Sequence, residues 1–173
     1  MHGCHTHCNC NLGQSKCTGI SAHHLQLLPS DIQSLYIYNS NISSFSTVNL
    51  HLPNLRNLYV KDTQLTSLVI DDNMPALRIV TVINGNLQTF ETIAVHASLL
   101  TTLNLRHQPL VTPTKHVNLL NVQILQLTNT SMSEYNSFIF YMPSLNNLNI
   151  NDSPLIGITM SKVSNCLLQN KTN

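Results

Sequence analysis

Apolar residues return along this chain at a fixed interval, and that interval predicts the fold. A template with apolar residues at its positions 1, 4, 6, 11 and 14 fits six times. The first copy is Ile32, Leu35, Ile37, Ile42 and Phe45; the second is Leu55, Leu58, Val60, Leu65 and Leu68. The third is Leu77, Val80, Val82, Leu87 and Phe90, and the fourth Leu100, Leu103, Leu105, Leu110 and Pro113. Val122, Leu125, Leu127, Met132 and Tyr135 make the fifth; Leu145, Leu148, Ile150, Leu155 and Ile158 make the sixth. Successive copies start 22 or 23 residues apart, and only Pro113 and Tyr135 of the thirty positions are not strongly apolar. A repeat of that length is the mark of a solenoid.

The physical reading follows from side-chain alternation. Residues 4 and 6 of the template lie on one face of a short strand. One repeat cannot enclose its apolar side chains, but stacked neighbours share a continuous core. The expected fold is a β-rich leucine-rich-repeat horseshoe with a parallel sheet on its concave side. The return segments at 47–52, 69–74 and 92–97 are too short and too β-branched for helices, so extended or 3-10 returns are expected. Residues 138–142 offer one possible helical turn. The division is a cysteine-rich cap at 1–31, six repeats at 32–167 and a truncated or degenerate tail at 168–173.

Composition narrows the setting. Only 9% of residues are charged, and the net charge is +1 with no run of like charge. Neither nucleic acid nor an anionic membrane is therefore expected as partner. No apolar stretch approaches the roughly 18 residues of a membrane-spanning helix. The start lacks a signal-peptide core, so Met1 is expected to be a fragment boundary. Cys4, Cys8, Cys10 and Cys17 crowd into the first seventeen residues with His5 and His7 between them. Two disulfides in an oxidising compartment or a zinc site would each use them. The spacing favours disulfides, because the paired knuckles of structural zinc are missing.

With the repeat and the cluster together, the chain resembles the extracellular leucine-rich-repeat family, which includes toll-like receptors, Slit-type guidance proteins and small proteoglycans. The cysteine cluster followed by Leu25-Gln-Leu-Leu-Pro-Ser-Asp-Ile32 is similar to that family's N-terminal cap. The resemblance implies pairing of Cys4 with Cys10 and Cys8 with Cys17, and an extracellular location. Two departures stand out. The family's ninth repeat position is usually Asn, whereas here it is Ser40, Thr63, Gly85, Gln108, Thr130 and Ser153. A hydroxyl offers one donor and is shorter, and Gly85 offers nothing, so the turn is expected to rely more on backbone and water bonds. No C-terminal cysteine cap follows, so the native chain is expected to continue or to be covered there. Cys166 is half of such a cap's disulfide, a core thiol or an intermolecular link.

Function is expected on the concave face. Tyr36, Tyr38 and Tyr59 crowd its N-terminal half beside Arg56, Arg78, Ile79, Thr81 and Ile83, and Tyr and Arg are enriched at binding hot spots. The C-terminal half is nearly all Asn, Gln and Thr. Sequons begin at Asn41, Asn129, Asn151 and Asn170, and glycans on Asn129 and Asn151 would block that half. Glu91 and Glu134 are the only glutamates, with no catalytic motif, no cofactor signature and no expected metal. The reading is a non-enzymatic module of a secreted or membrane-anchored protein, receptor or adhesion molecule, binding a protein or peptide. The alternative is a matrix protein that self-associates through its solenoid ends.

Overall fold

A computed structural model of the chain describes residues 4–136 and 139–159 and the backbone of 167–171. Cys166 and Phe138 lie outside the described residues. In chain order, β1 (Cys8–Asn11) and β2 (Gln14–Thr18) form an antiparallel hairpin, and a 3-10 helix follows at Ala22–Leu27. The repeats then alternate concave and return strands. The first two supply β3 (Ser34–Tyr38), β4 (Ser44–Ser46), β5 (Asn57–Lys61) and β6 (Ser67–Ile70). The third supplies β7 (Ile79–Ile83), a 3-10 turn at Phe90–Thr92 and β8 (Ile93–Val95); the fourth supplies β9 (Thr102–Arg106) and β10 (Val117–Asn118). Next come β11 (Ile124–Thr128), β12 (Glu134–Asn136), β13 (Phe140–Tyr141), β14 (Asn147–Asn151), β15 (Gly157–Thr159) and β16 (Leu167–Lys171).

Nine strands make the concave sheet in the order β1-β2-β3-β5-β7-β9-β11-β14-β16, parallel throughout except for the β1–β2 pair. The returns pair across repeats as β4-β6-β8, β10-β13 and β12-β15. Register is set by the apolar pairs. Leu35, Leu58, Val80, Leu103, Leu125 and Leu148 align in one column, each beside its equivalent in the next strand. Of the thirty template positions only Leu155 and Ile158 are not buried, and both belong to the last repeat. Tyr135 and Pro113 point inward like the rest. Phe140 packs on both Phe90 and Tyr135, with ring centroids 4.9 Å apart in each case, beside the column place that small Pro113 occupies.

Residues 139–142 do not form the helical turn that their sequence allowed. Val117 donates its backbone N–H to Ile139 and Leu119 to Tyr141, so cross-repeat strand pairing satisfies this backbone instead. The stretch assigned to a tail also joins the sheet: β16 runs parallel to β14, with Leu168 beside Leu148 and Asn170 beside Ile150. Pairing needs only backbone groups, so the polar sequence does not prevent it.

The turn after each concave strand corrects a second expectation. Asn39, Asp62, Asn84, His107, Asn129 and Asp152 each hold φ between 44° and 54°. Asn, Asp and His are the side-chain-bearing residues that best tolerate this left-handed region. The next residue in each repeat is the ninth position. At Ser40, Gln108, Thr130 and Ser153 its side chain does make hydrogen bonds there, whereas Thr63 Oγ1 is buried without a partner among the described residues. Ser40 Oγ donates to Tyr38 O at 2.7 Å and accepts from Ile20 N–H at 3.2 Å. Ser153 Oγ accepts from Thr130 N–H at 3.1 Å. At Gly85, which brings no side chain, Gln108 of the following repeat supplies one. An added Cβ on Gly85 would lie 2.8 Å from Gln108 Oε1. That buried amide accepts from Leu87 N–H at 3.2 Å and donates to Arg106 O at 3.0 Å and Val82 O at 3.4 Å. The longer side chain replaces what Gly85 lacks.

At the N-terminal end, Cys4 is bonded to Cys10 and Cys8 to Cys17, the pairing implied by the family resemblance. Cys17 stands in register with Ile37 and Ser15 with Leu35, both fully buried, so β2 closes the core column in place of a repeat.

Candidate binding face

The outward residues of the concave strands fall into three columns fixed by the parallel register. The central column begins Lys16, Tyr36, Tyr59, Thr81 and Asn104. The column at the strand ends reads Thr18, Tyr38, Lys61, Ile83 and Arg106. The third carries Ser34, Asn57, Ile79 and Thr102. Arg56 and Arg78 precede β5 and β7, stacked at the leading edge of the sheet, with Arg78 N–H bonded to Arg56 O at 2.9 Å.

The three tyrosines meet. Tyr36 and Tyr38 stack with centroids 6.4 Å apart, and Tyr59 tilts against them at 5.9 and 5.7 Å. All three are half-buried. Partial burial, and then the neighbouring Tyr59 and Tyr36 rings, push the Tyr38 phenol above its ordinary range, so it stays protonated and can donate a hydrogen bond. Lys16 Nζ sits over the Tyr36 ring, 5.8 Å from its centroid. Ile79 is 38% exposed, an uncommon state for a large aliphatic on a strand.

The face is also basic, which a chain of net charge +1 does not announce. Five of the eight Lys and Arg residues lie on or directly beside the strands β2, β3, β5, β7 and β9: Lys16, Arg56, Lys61, Arg78 and Arg106. The only carboxylate directly beside those strands is Asp62, which faces Lys61 at 3.8 Å and accepts from Asn84 Nδ2 at 2.6 Å. Asp71, Asp72, Glu91 and Glu134 lie on the returns. The sequence reading named the tyrosines, Arg56, Arg78 and the isoleucines as contacts; Lys61 and Arg106 share the face on which these stand, and Lys16 joins it through β2. The signal was there: the alternation Gln14-Ser15-Lys16-Cys17-Thr18 marks a strand of the same sheet, and Lys61 and Arg106 share a template position.

Beyond β9 the face changes to amides. The Oδ1 atoms of Asn104, Asn147 and Asn149 are buried without a hydrogen-bond partner among the described residues. Of the sequon residues, Asn41 is exposed after the first concave turn, and Asn129 is exposed in a left-handed turn with Nδ2 2.9 Å from His107 Nδ1. Asn151 is half-buried at the end of β14; Asn170 lies in β16, where only the backbone is described.

Away from this face, the cleft at Val95, Ala97, Leu100, Leu119, Leu120 and Val122 encloses about 190 Å³. That is below the usual size of a small-molecule site. No family model matches the chain, and no curated protein matches it in sequence. Among solved structures, it is similar to the crystal structure of a TLR13–ssRNA13 complex, with 18% identity and a TM-score of 0.61 over 85% of this chain. The fold is a leucine-rich-repeat solenoid. The chain spans 20% of the length of that TLR13 chain, so the likeness concerns the architecture of the repeats. The two disulfides of the cap and the solenoid fit the leucine-rich-repeat proteins as a class. Among the described residues no helix is long and apolar enough to cross a membrane.

Proposed function

We propose that this chain is the ligand-binding part of an extracellular leucine-rich-repeat protein, a receptor or adhesion module that holds a protein or peptide on the N-terminal half of its concave face. The observation that carries the reading is the tyrosine triad: three half-buried rings in mutual contact on a face where no core packing requires them. Such rings supply contact area at low entropic cost, and interface hot spots use them. The disulfide-bonded cap supports an oxidising compartment. Glycans at Asn41, Asn129, Asn151 and Asn170 belong to the same reading, and those at Asn129 and Asn151 would leave the N-terminal half as the open surface.

The test compares affinity capture from the native tissue by the wild-type domain and by the Tyr36→Ala/Tyr59→Ala double variant. Neither ring is part of the core, so circular dichroism of the variant should match the wild type. Proteins bound through this face should be lost from the variant's eluate, since hot-spot truncations cost about 2 kcal/mol or more each. An unchanged eluate would move the site to the returns, the cap or the C-terminal end. A single-stranded RNA, the ligand of the TLR13 complex, is the second reading, favoured by cations interleaved with rings on one strip. The net charge of +1 and the Asp62 carboxylate at Lys61 weigh against it, since a single strand is held mainly through its phosphates.

A further inference from the structure

We propose that the strip from β2 to β9 takes an acidic, extended peptide segment whose carboxylates face Lys16, Lys61 and Arg106 and whose aliphatic side chains meet Ile79 and Ile83. The inference rests on the binding reading above and names the chemistry of its partner.

Charge complementarity is the first argument. Lys61 and Arg106 stand two strands apart in one column with Ile83 between them, and Lys16 stands beside Tyr36 at the N-terminal end. Five concave strands at ~4.8 Å spacing span roughly 19 Å. Cations two strands apart stand ~10 Å from each other, about one screening length of ~8 Å at physiological salt, so fields overlap between neighbours and are screened across the full strip. Asp62 offsets them at Lys61. The carboxylates on the returns lie across the core from the face. On and directly beside the strands from β2 to β9 the cations thus outnumber the carboxylates five to one, although the total charge is nearly zero.

Shape and chemistry then decide between anions. The isoleucines alternate with cations: Ile83 between Lys61 and Arg106, and Ile79 following Arg78. A ligand that covers this strip must present both negative and apolar groups on one face. An extended peptide rises ~3.3 Å per residue and turns every second side chain to the sheet, ~6.6 Å apart, so six or so residues set about three side chains, acidic and aliphatic, against it. The Tyr38 hydroxyl, protonated on this face, donates to a carboxylate or a carbonyl oxygen. A nucleic-acid strand would meet the cations and the rings as well, so it is the competing anion that the experiment runs beside the peptide.

The experiment selects from a random peptide display library on the immobilised, disulfide-intact domain, sequences the enriched pool, and measures the leading synthetic peptide by fluorescence anisotropy. A fluorescein-labelled single-stranded RNA of about twelve nucleotides is run beside it. The expected pool is rich in Asp and Glu with Leu, Ile or Val an even number of residues away, so that both face the sheet. Its leading peptide should weaken at least about tenfold on raising salt from ~0.05 to ~0.5 M. Lys61→Glu with Arg106→Glu should weaken it by a similar factor, whereas Lys115→Glu, a cation between β9 and β10 outside the strip, should leave it unchanged. Circular dichroism on each variant keeps a folding defect separate from a binding one. A neutral, basic or unenriched pool would overturn the inference. So would acidic peptides indifferent to the Lys61 and Arg106 reversal, or RNA binding more tightly than the peptide. Neutral peptides that need Tyr36 and Tyr59 would refute the acidic chemistry while leaving the binding face in place. Peptides that need neither the tyrosines nor the cations would remove both.

Discussion

Gly85 and Gln108 act as one unit, and a double-mutant cycle would show it. Gln108→Ser removes the acceptor of Leu87 N–H and the donor to Val82 O and Arg106 O, at a site 2% exposed. An orphaned buried N–H costs ~1–3 kcal/mol, and the void left over Gly85 adds to it, so about 3 kcal/mol is expected. Gly85→Ser meets Gln108 Oε1 at 2.8 Å. The amide is the far end of a flexible side chain and can turn aside, but only by giving up Leu87, so roughly 1–2 kcal/mol is expected. Together the two changes install the Ser and Thr arrangement of the last repeats, where Thr130 Oγ1 and Ser153 Oγ lie 2.9 Å apart. The double variant should therefore lose only about 2 kcal/mol, against the ~4–5 that addition of the single losses gives. Urea unfolding of the disulfide-intact domain, followed by circular dichroism, measures all four corners. Additivity within ~0.5 kcal/mol would show that the two positions do not share the site.

Other predictions follow from the core, the cap and the histidines. Leu103→Asp places a carboxylate in a fully buried column between Val80 and Leu125; it should cost several kcal/mol and abolish the cooperative melt. Replacing Cys8 and Cys17 by Ala opens the loop that ties β1 to β2, with an expected loss of ~2–4 kcal/mol in the same urea assay. Partial burial, then the charges of His23, His5 and His7, hold His24 below its ordinary 6.5. The unfolded chain therefore binds the extra proton, so the His24 contribution is full above pH 6.5 and is lost as pH falls through and below that value. Melting temperatures across pH 7.5 to 5 should show a decline that His24→Gln reduces; an identical decline in the variant would assign it to other groups.

The fold was legible because the apolar period survives any reading of detail: twenty-eight of the thirty template positions are buried, the exceptions being Leu155 and Ile158. What escaped was the chemistry between repeats. The ninth position looked inadequate one residue at a time, since Gly85 has no side chain and the hydroxyls are short. Only stacking shows that the Gln108 side chain fills the lack at Gly85. The polar column one place earlier, Asn39, Asp62, Asn84, His107, Asn129 and Asp152, was readable at the same interval. Its meaning was backbone conformation, which outward position alone does not show. The strand at 140–141 was missed for a related reason: its partner, Val117–Asn118, lies in the preceding repeat.

The charge of the face makes the same point about function. Absence of a run of like charge excludes a basic patch in a chain whose neighbours in space are neighbours in sequence. In a solenoid the neighbour across the sheet is one period away. Arg56 and Arg78 are 22 residues apart in sequence and adjacent along the leading edge. Lys61 and Arg106 are two periods apart and share a column with only Ile83 between them. The pertinent count runs along each template position, and by that count the outward positions of repeats two to four carry cations while the last two repeats carry amides. That same count makes the cap part of the face, because β2 pairs with β3 and sets Lys16 over Tyr36. Lys16→Ala should then weaken any ligand that Tyr36 binds, without touching the repeats. A ligand lost on Tyr36→Ala but indifferent to Lys16→Ala would confine the face to the repeats.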